Sequence, residues 1–173
     1  MNKGNFVDKN PSLSTYWRSV ILLGRNTASY KFALAKSLLE NGSGQDSISI
    51  DELALVFAQN IARHLKENEK QSTGRSNSFL DACRKFNSSD LEIDELVSVT
   101  KKQGFRYVFD AFHNVAKADI PLFFQQNKSG LILTDNFHNL LESNQSSNLI
   151  FEAESRWCLW ETAISMDISP NLI

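Results

Sequence analysis

The feature that most constrains the fold of this chain is an apolar segment from Tyr16 to Glu40, interrupted near its middle by Gly24-Arg25-Asn26. Apolar residues recur at spacings of three and four on both sides of the interruption, which is the pattern of helices with a buried face. Glycine favours the position just after a helix end, so Gly24 predicts the end of a first helix. Asn26 or Thr27 can cap a second. The segment therefore predicts two consecutive buried helices joined by a corner.

Similar periodic segments fill the rest of the chain between polar breaks. Ser49 and Glu52 have the S-x-x-E spacing of a capping box and predict the start of a third helix. Further helices are predicted over residues 79–86, 93–104, 105–115, 135–141 and 149–166, and a loop over residues 41–47. Residues 120–134 hold two short apolar runs around Asn127-Lys128-Ser129-Gly130, which fits a small β-hairpin near residues 122–133 or a turn flanked by extended segments. The expected fold is mainly α: a single domain over residues 1–173 with seven to eight helices and this small hairpin.

Composition limits the classes of function. The chain has 173 residues, is 42% hydrophobic and carries a net charge of −2, whereas a domain that binds duplex DNA through many phosphates usually has a basic surface. Cys83 and Cys158 lie far apart and are expected to be buried thiols of a reducing compartment. No apolar run approaches the roughly 20 residues of a membrane span, so the expected location is the cytoplasm.

The motifs of known catalytic and metal sites are absent from the sequence. His64, His113 and His138 lack the short helical spacing of paired metal ligands and are expected to be surface or capping residues. There is no G-x-S-x-G nucleophile motif and no phosphate loop with a following Lys-Ser/Thr. No catalytic residue, metal ligand or cofactor is therefore assigned within this chain.

The polar residues around the corner at Gly24 form the main candidate site. Arg25 can reach the last carbonyls of the first helix, Asn26 can cap the second, and Lys31 can extend its stem along the apolar surface. A structural role explains them without a ligand. Alternatively, the N-terminus of the second helix, with Arg25, Asn26, Lys31 and Arg18 nearby, could bind a phosphate or nucleic acid.

The last helix offers a second set of candidates. Trp157 and Trp160 lie three residues apart on one face, and the expected role of that face is packing against Trp17 of the first helix. Arg156 follows Glu152 by four residues, a spacing that suits an intrahelical ion pair. Trp17, Arg156, Trp157 and Trp160 are therefore candidates for a structural interface, with base stacking by the tryptophans as the alternative.

Several of these segments together resemble one family. They are "YWRSVILLGRNTASYKFALAKSLLE" (residues 16–40), "FDAFHNV" (109–115) with "IPLFF" after it, "LILTDNF" (131–137) and "EAESRWCLWETA" (152–163). As a set they resemble the N-terminal region of bacterial HNH endonuclease-domain proteins. In that family a compact ββα-metal nuclease unit follows the Arg-Trp helix, and its histidines bind a divalent metal ion.

The resemblance does not extend to the catalytic unit. The sequence has no Asp-His pair before an apolar-Pro turn and no His-Asn-His set, so the family's catalytic residues cannot be placed here. The resemblance implies a helical N-terminal module of an HNH-type DNA endonuclease of restriction or phage-defence type. Such a module would position or regulate a downstream nuclease domain, or contact DNA, without cutting it. A divalent metal is expected only in that downstream domain, and the chain is expected to be a fragment of a longer protein. The alternative is a protein-interaction module with no nucleic-acid role.

Overall fold

Helices make up most of the computed structural model, which describes residues 11–23, 28–74, 77–115 and 118–169. Within these ranges the helices are α1 (Leu13–Leu23), α2 (Tyr30–Asn41), α3 (Ile50–Glu67), α4 (Ser78–Asn87), α5 (Ile93–Val99), α6 (Val108–Phe112), α7 (Asp135–Glu142) and α8 (Ser146–Ser165). A short π-helix (Thr100–Gly104) follows α5 directly. The expected mainly α domain is confirmed, as is the division of residues 16–40 into two helices.

Side-chain caps explain where two of the helices begin. The Ser49 hydroxyl accepts a hydrogen bond from the Glu52 backbone N–H, and the Glu52 carboxylate accepts one from the Ser49 N–H, which confirms the predicted capping box. The Asn77 side chain accepts hydrogen bonds from the N–H groups of Phe79 and Leu80 at 3.1 and 3.0 Å. The cap at Asn77 was not predicted, because it lies in a run of polar residues from which no single capping residue stands out.

A three-stranded antiparallel sheet packs beside the helices. The predicted hairpin is present as β2 (Phe124–Gln126) and β3 (Gly130–Leu133). A third strand, β1 (Ser47–Ser49), pairs with the other edge of β3, with Ile48 opposite Leu131. This strand was missed because only its middle residue is apolar and buried, too short a pattern to stand out beside the loop before it.

The segment after α5 differs from the two regular helices predicted over residues 93–104 and 105–115. The Phe105 N–H donates to the Thr100 carbonyl, the i to i+5 bond of a π-turn, and α6 contains only five residues. At the end of the π-helix, Gly104 lies against Thr100, Phe57 and Phe79, where a side chain would be tightly confined. The turn is therefore closely packed against α3 and α4.

The core surrounds α2, whose residues from Phe32 to Leu39 are all buried. From the middle of α1, Trp17 makes ring contacts with Phe112, Phe123 and Phe137. Cys83 is buried, as expected. Cys158 is exposed, so its predicted burial is wrong: it occupies a solvent-facing position of α8. None of the helices in the described ranges has both the length and the apolar character needed to cross a membrane.

Candidate functional site

A groove of about 420 Å³ separates α1 from α8. The two helices run in the same direction, since Arg18 of α1 contacts Glu152 of α8, and Leu22, one turn later, contacts Arg156. The buried part of the lining consists of Trp17, Ile21, Leu149 and Ala153. The groove therefore has an apolar floor contributed by both helices.

Three large apolar side chains form the exposed rim of this groove. Leu22 is 47% exposed, Phe151 is 73% exposed and Leu159 is 46% exposed. A single exposed apolar residue is ordinary on a protein surface, but several around one concave apolar floor are typical of a binding surface. The groove is thus suited to contact an apolar partner.

An ion pair closes one side of the groove. The Arg18 Nε and Nη2 atoms donate to the two carboxylate oxygens of Glu152 at 2.7 and 2.8 Å, and Nη2 also donates to the Gln145 side chain at 3.1 Å. The hydrogen bond to Glu152 raises the pKa of Arg18. Glu152 thus joins α8 to α1, whereas the spacing in sequence had suggested a partner within its own helix. Arg156 Nη2 lies 3.5 Å from the Leu22 carbonyl.

The opposite face of α8 is buried against α2. The rings of Trp157 and Trp160 both contact Phe32, at centroid distances of 6.4 and 6.2 Å. Both tryptophans are fully buried, in agreement with a packing role. The ring contacts of this face are therefore with α2, whereas those of Trp17 are with Phe112, Phe123 and Phe137, so the predicted contact of Trp157 and Trp160 with Trp17 is corrected.

Behind this face, His64 of α3 lies between two carboxylates of α8. Its Nδ1 atom is 2.8 Å from Glu161 Oε1, and its Nε2 atom is 3.2 Å from Glu154 Oε1. The second contact is not a hydrogen bond, since Nε2 has no hydrogen-bond partner among the described residues. The expectation of a surface or capping role for His64 is wrong, since the residue is 4% exposed.

Glu161 also anchors the segment that follows α3. Asn68 Nδ2 donates to its second oxygen at 2.9 Å, and Gln71 Nε2 donates to the oxygen that faces His64. Gln71 Oε1 in turn accepts a hydrogen bond from Trp157 Nε1 at 3.0 Å. A carboxylate that is 1% exposed is therefore surrounded by three donors, as a buried charge requires.

Glu154 connects the same network to α2. Its carboxylate accepts a hydrogen bond from the Lys36 ammonium and lies 3.6 Å from Arg63 Nη2. Burial alone would raise the pKa of Glu154, but the hydrogen bond from Lys36 and the charges of His64, Lys36 and Arg63 outweigh it and lower that pKa. The network therefore ties α8 to both α2 and α3 behind the groove.

Lys31, at the start of α2, has different surroundings. The residue is 4% exposed, and it makes no hydrogen bond or ion pair with any residue of the described ranges. Burial lowers its pKa to about 8. Burial and the nearby charge of Lys31 lower the pKa of His113 to about 4. The start of α2 thus holds a lysine whose stem is buried and which has no ionic partner in the described ranges.

The sequence candidates separate into two places. Trp17, Arg18 and Arg156 come together along the groove, whereas Lys31 lies at the start of α2 and is not part of the groove lining. Arg25 and Asn26 fall outside the described residues. Their predicted binding of a phosphate or nucleic acid stays a prediction.

Sequence reasoning missed the His64 network. One signal was present: Glu154 and Glu161 are seven residues apart, so two helical turns place both carboxylates on one face of α8, with Trp157 between them. Two carboxylates on a face with buried tryptophans call for a buried cation or several donors. The partners His64 and Gln71 could not be identified in this way, because they are distant in sequence.

Comparison with protein-family models, with curated proteins and with solved structures found no match to this chain. Across the described ranges, no group of three or more His, Cys, Asp and Glu side chains is arranged to hold a metal ion.

Proposed function

We propose that this chain is a non-catalytic helical module of an HNH-type DNA endonuclease of restriction or phage-defence type. In this proposal it positions the nuclease domain by binding an amphipathic helix of that domain in the groove between α1 and α8. Metal binding and contact with the cleaved DNA belong to the nuclease domain. The observation that carries the proposal is that two of the segments that resemble the HNH-associated family, residues 16–40 and 152–163, contribute residues to the two walls of the groove.

The physical basis is the apolar surface of the groove. Burying a Leu or Phe side chain contributes about 1.5–3 kcal/mol relative to full exposure, as an upper bound. Leu22, Phe151 and Leu159 are only partly exposed, so each would contribute a fraction of that amount on docking. A helix with apolar residues at spacings of three and four would pack along two parallel helices, as in other helix-in-groove complexes.

The test is a calorimetric binding titration. The probe is a purified HNH domain encoded in the same reading frame as this chain or beside it. Wild-type chain is compared with Phe151→Glu and with Leu122→Glu, a control that places the same charge on a residue 46% exposed outside the groove. We expect Phe151→Glu to weaken binding by about tenfold or more, since it buries a charge in an apolar contact. We expect no change from Leu122→Glu.

Two outcomes would contradict the proposal. Absence of binding by the wild-type chain would remove the role in positioning the nuclease. Binding that Phe151→Glu leaves intact would place the contact elsewhere on the surface.

The alternative, a protein-interaction module with no nucleic-acid role, uses the same groove. This alternative is supported if a helix of another protein binds in the groove and the HNH domain does not compete with that helix for the groove.

Direct DNA contact through Arg25 is tested by duplex binding at two salt concentrations. Affinity that falls steeply with salt and is lost in Arg25→Ala would support it, because phosphate contacts release counter-ions.

A further inference from the structure

We infer that two copies of this chain associate through the groove face, with their α8 helices packed antiparallel about a two-fold axis at Ser155. The groove face consists of the sides of α1 and α8 that border the groove, including the exposed Leu22, Phe151 and Leu159. This inference goes beyond the proposed function and does not rest on it, because self-association requires only this chain. A nuclease domain that docks in the groove displaces the second copy, so self-association also regulates access to the groove.

The first observation is a stripe of exposed residues along α8. Phe151, Ser155 and Leu159 follow one another at spacings of four residues, so they lie on one face of the helix. All three are exposed and all three border the groove. The stripe therefore presents two large apolar side chains with a small side chain between them.

The second observation is the symmetry of this stripe about the middle of α8. The helix extends over Ser146–Ser165, so nine residues precede Ser155 and ten follow it. A two-fold axis at Ser155 overlaps two antiparallel helices along almost their whole length. The same axis places Phe151 of each copy against Leu159 of the other, because both residues lie four positions from Ser155. The small Ser155 side chain allows the two helices to approach closely where they cross.

The charges beside the stripe are complementary in this arrangement. Glu152 and Arg156 lie on the side of the stripe that faces α1, where Glu152 accepts from Arg18 and Arg156 donates to the Leu22 carbonyl. The two-fold axis brings this side of both copies together. Glu152 of one copy then lies about 3 Å along the helix axis from Arg156 of the other. An acidic group and a basic group therefore meet twice in the dimer.

The size of the groove face predicts a weak dimer. α8 has 20 residues and α1 has 11. These helices are about 30 and 16 Å long and about 10 Å wide, which gives a projected area of about 450 Å² per copy. Interdigitating side chains bury more than the projected area, so the face comes near the lower end of the roughly 600–1,000 Å² per copy typical of specific interfaces. We therefore expect a dissociation constant in the micromolar range.

The first experiment is sedimentation velocity of the full chain at concentrations from about 1 to 200 μM. We expect the wild-type chain to shift from monomer to dimer over this range. Phe151→Glu should weaken the association by about tenfold or more, because it places a charge in both apolar contacts of the dimer. Leu122→Glu is the matched control, at an exposed leucine outside the groove, and should associate as the wild-type chain does.

The second experiment tests the two-fold axis by disulfide cross-linking. Cys158→Ser removes the exposed native thiol, and Ser155→Cys or Asn148→Cys is added to that variant. In helices packed about 8–10 Å apart, Cα atoms that face each other are about 4–6 Å apart, which is within disulfide range. We therefore expect oxidation to link two copies of the Ser155→Cys variant. Asn148→Cys, at another exposed position of α8, places its two thiols about 20 Å apart along the helices and should not link them.

The inference is overturned if the wild-type chain stays monomeric at every concentration, or if Phe151→Glu associates as strongly as the wild-type chain. Cross-linking of Asn148→Cys as readily as Ser155→Cys would also overturn it, since a parallel pair of helices gives that result. A monomeric chain that binds the HNH domain would contradict this inference alone. A chain that dimerises but does not bind the HNH domain would contradict the proposed function alone.

Discussion

The imidazole of His64 and the indole of Trp157 stack almost parallel, with ring centroids 3.5 Å apart and an interplanar angle of 2°. Trp157 also donates its N–H to Gln71, which contacts Glu161, the carboxylate partner of His64. One aromatic residue therefore supports the buried contact between His64 and Glu161 both through its ring face and through a hydrogen bond.

This arrangement predicts that two equally buried tryptophans differ in their contribution to stability. Trp157 is 0% and Trp17 is 1% exposed, but Trp17 Nε1 has no hydrogen-bond partner among the described residues. Both Trp→Phe changes remove similar volume. Trp157→Phe also leaves Gln71 without its donor, so we expect it to cost about 1–2 kcal/mol more than Trp17→Phe. Urea unfolding of both variants measures this difference, and equal costs would show that the hydrogen bond contributes little.

The ion pair between Arg18 and Glu152 should contribute less than its two short hydrogen bonds suggest. The two side chains are 30% and 38% exposed, so water screens their attraction. A double-mutant cycle with Arg18→Ala and Glu152→Ala should give a coupling energy of about 0.5–1 kcal/mol, decreasing as salt is added. A coupling of several kcal/mol would indicate that the pair is far less hydrated than its exposure implies.

The lowered pKa of Glu154 predicts a loss of stability in acid. The folded state keeps this carboxylate charged at a pH where the unfolded chain, with a pKa near 4.5, already binds a proton. Its contribution is therefore fully present above pH 4.5 and disappears as the pH falls through the lower pKa of the folded state. Urea unfolding from pH 7 to pH 3 gives the free energy of unfolding of wild type and of Glu154→Gln. The difference between the two should stay constant down to about pH 4.5 and then shrink to zero. If the difference in unfolding free energy instead widened in acid, the pKa of Glu154 would be raised, not lowered, in the folded state.

Lys31 predicts the opposite pH dependence. Its pKa falls from 10.5 in the unfolded chain to about 8 in the fold, so folding disfavours the charged form. The resulting destabilisation, about 3 kcal/mol from the size of the shift, is fully present below pH 8 and is relieved as the pH rises to 10.5.

We therefore expect Lys31→Met to stabilise the protein at pH 7. The advantage over wild type should shrink between pH 8 and pH 10.5, where the unmodified lysine loses its charge on folding. Lys102→Met, at an exposed site, should show no such pH dependence. A destabilised Lys31→Met variant at pH 7 would mean that the ammonium has a compensating interaction.

The sequence was sufficient for what depends on local spacing. The periodicity of residues 16–40 predicted two helices, and the Ser49–Glu52 spacing predicted a capping box. It was insufficient where contacts join distant segments. β1 has a single buried apolar residue and is defined by its pairing with β3. The surroundings of His64 depend on two carboxylates of α8, which are distant from it in sequence. The groove was not predicted, although three of its residues were candidates. The sequence of a single helix does not indicate which part of its surface remains uncovered by the neighbouring elements.

The pairing of β1 with β3 also has a kinetic consequence. Ile48 meets Leu131 only after α3, α4, α5 and α6, which lie between them in sequence, have brought the two strands together. Closing so long a loop costs entropy before the strand pair forms, whereas the helices in between form through local contacts. The outer strand should therefore join the sheet late in folding. Substitutions at Ile48 should then accelerate unfolding more than they slow refolding.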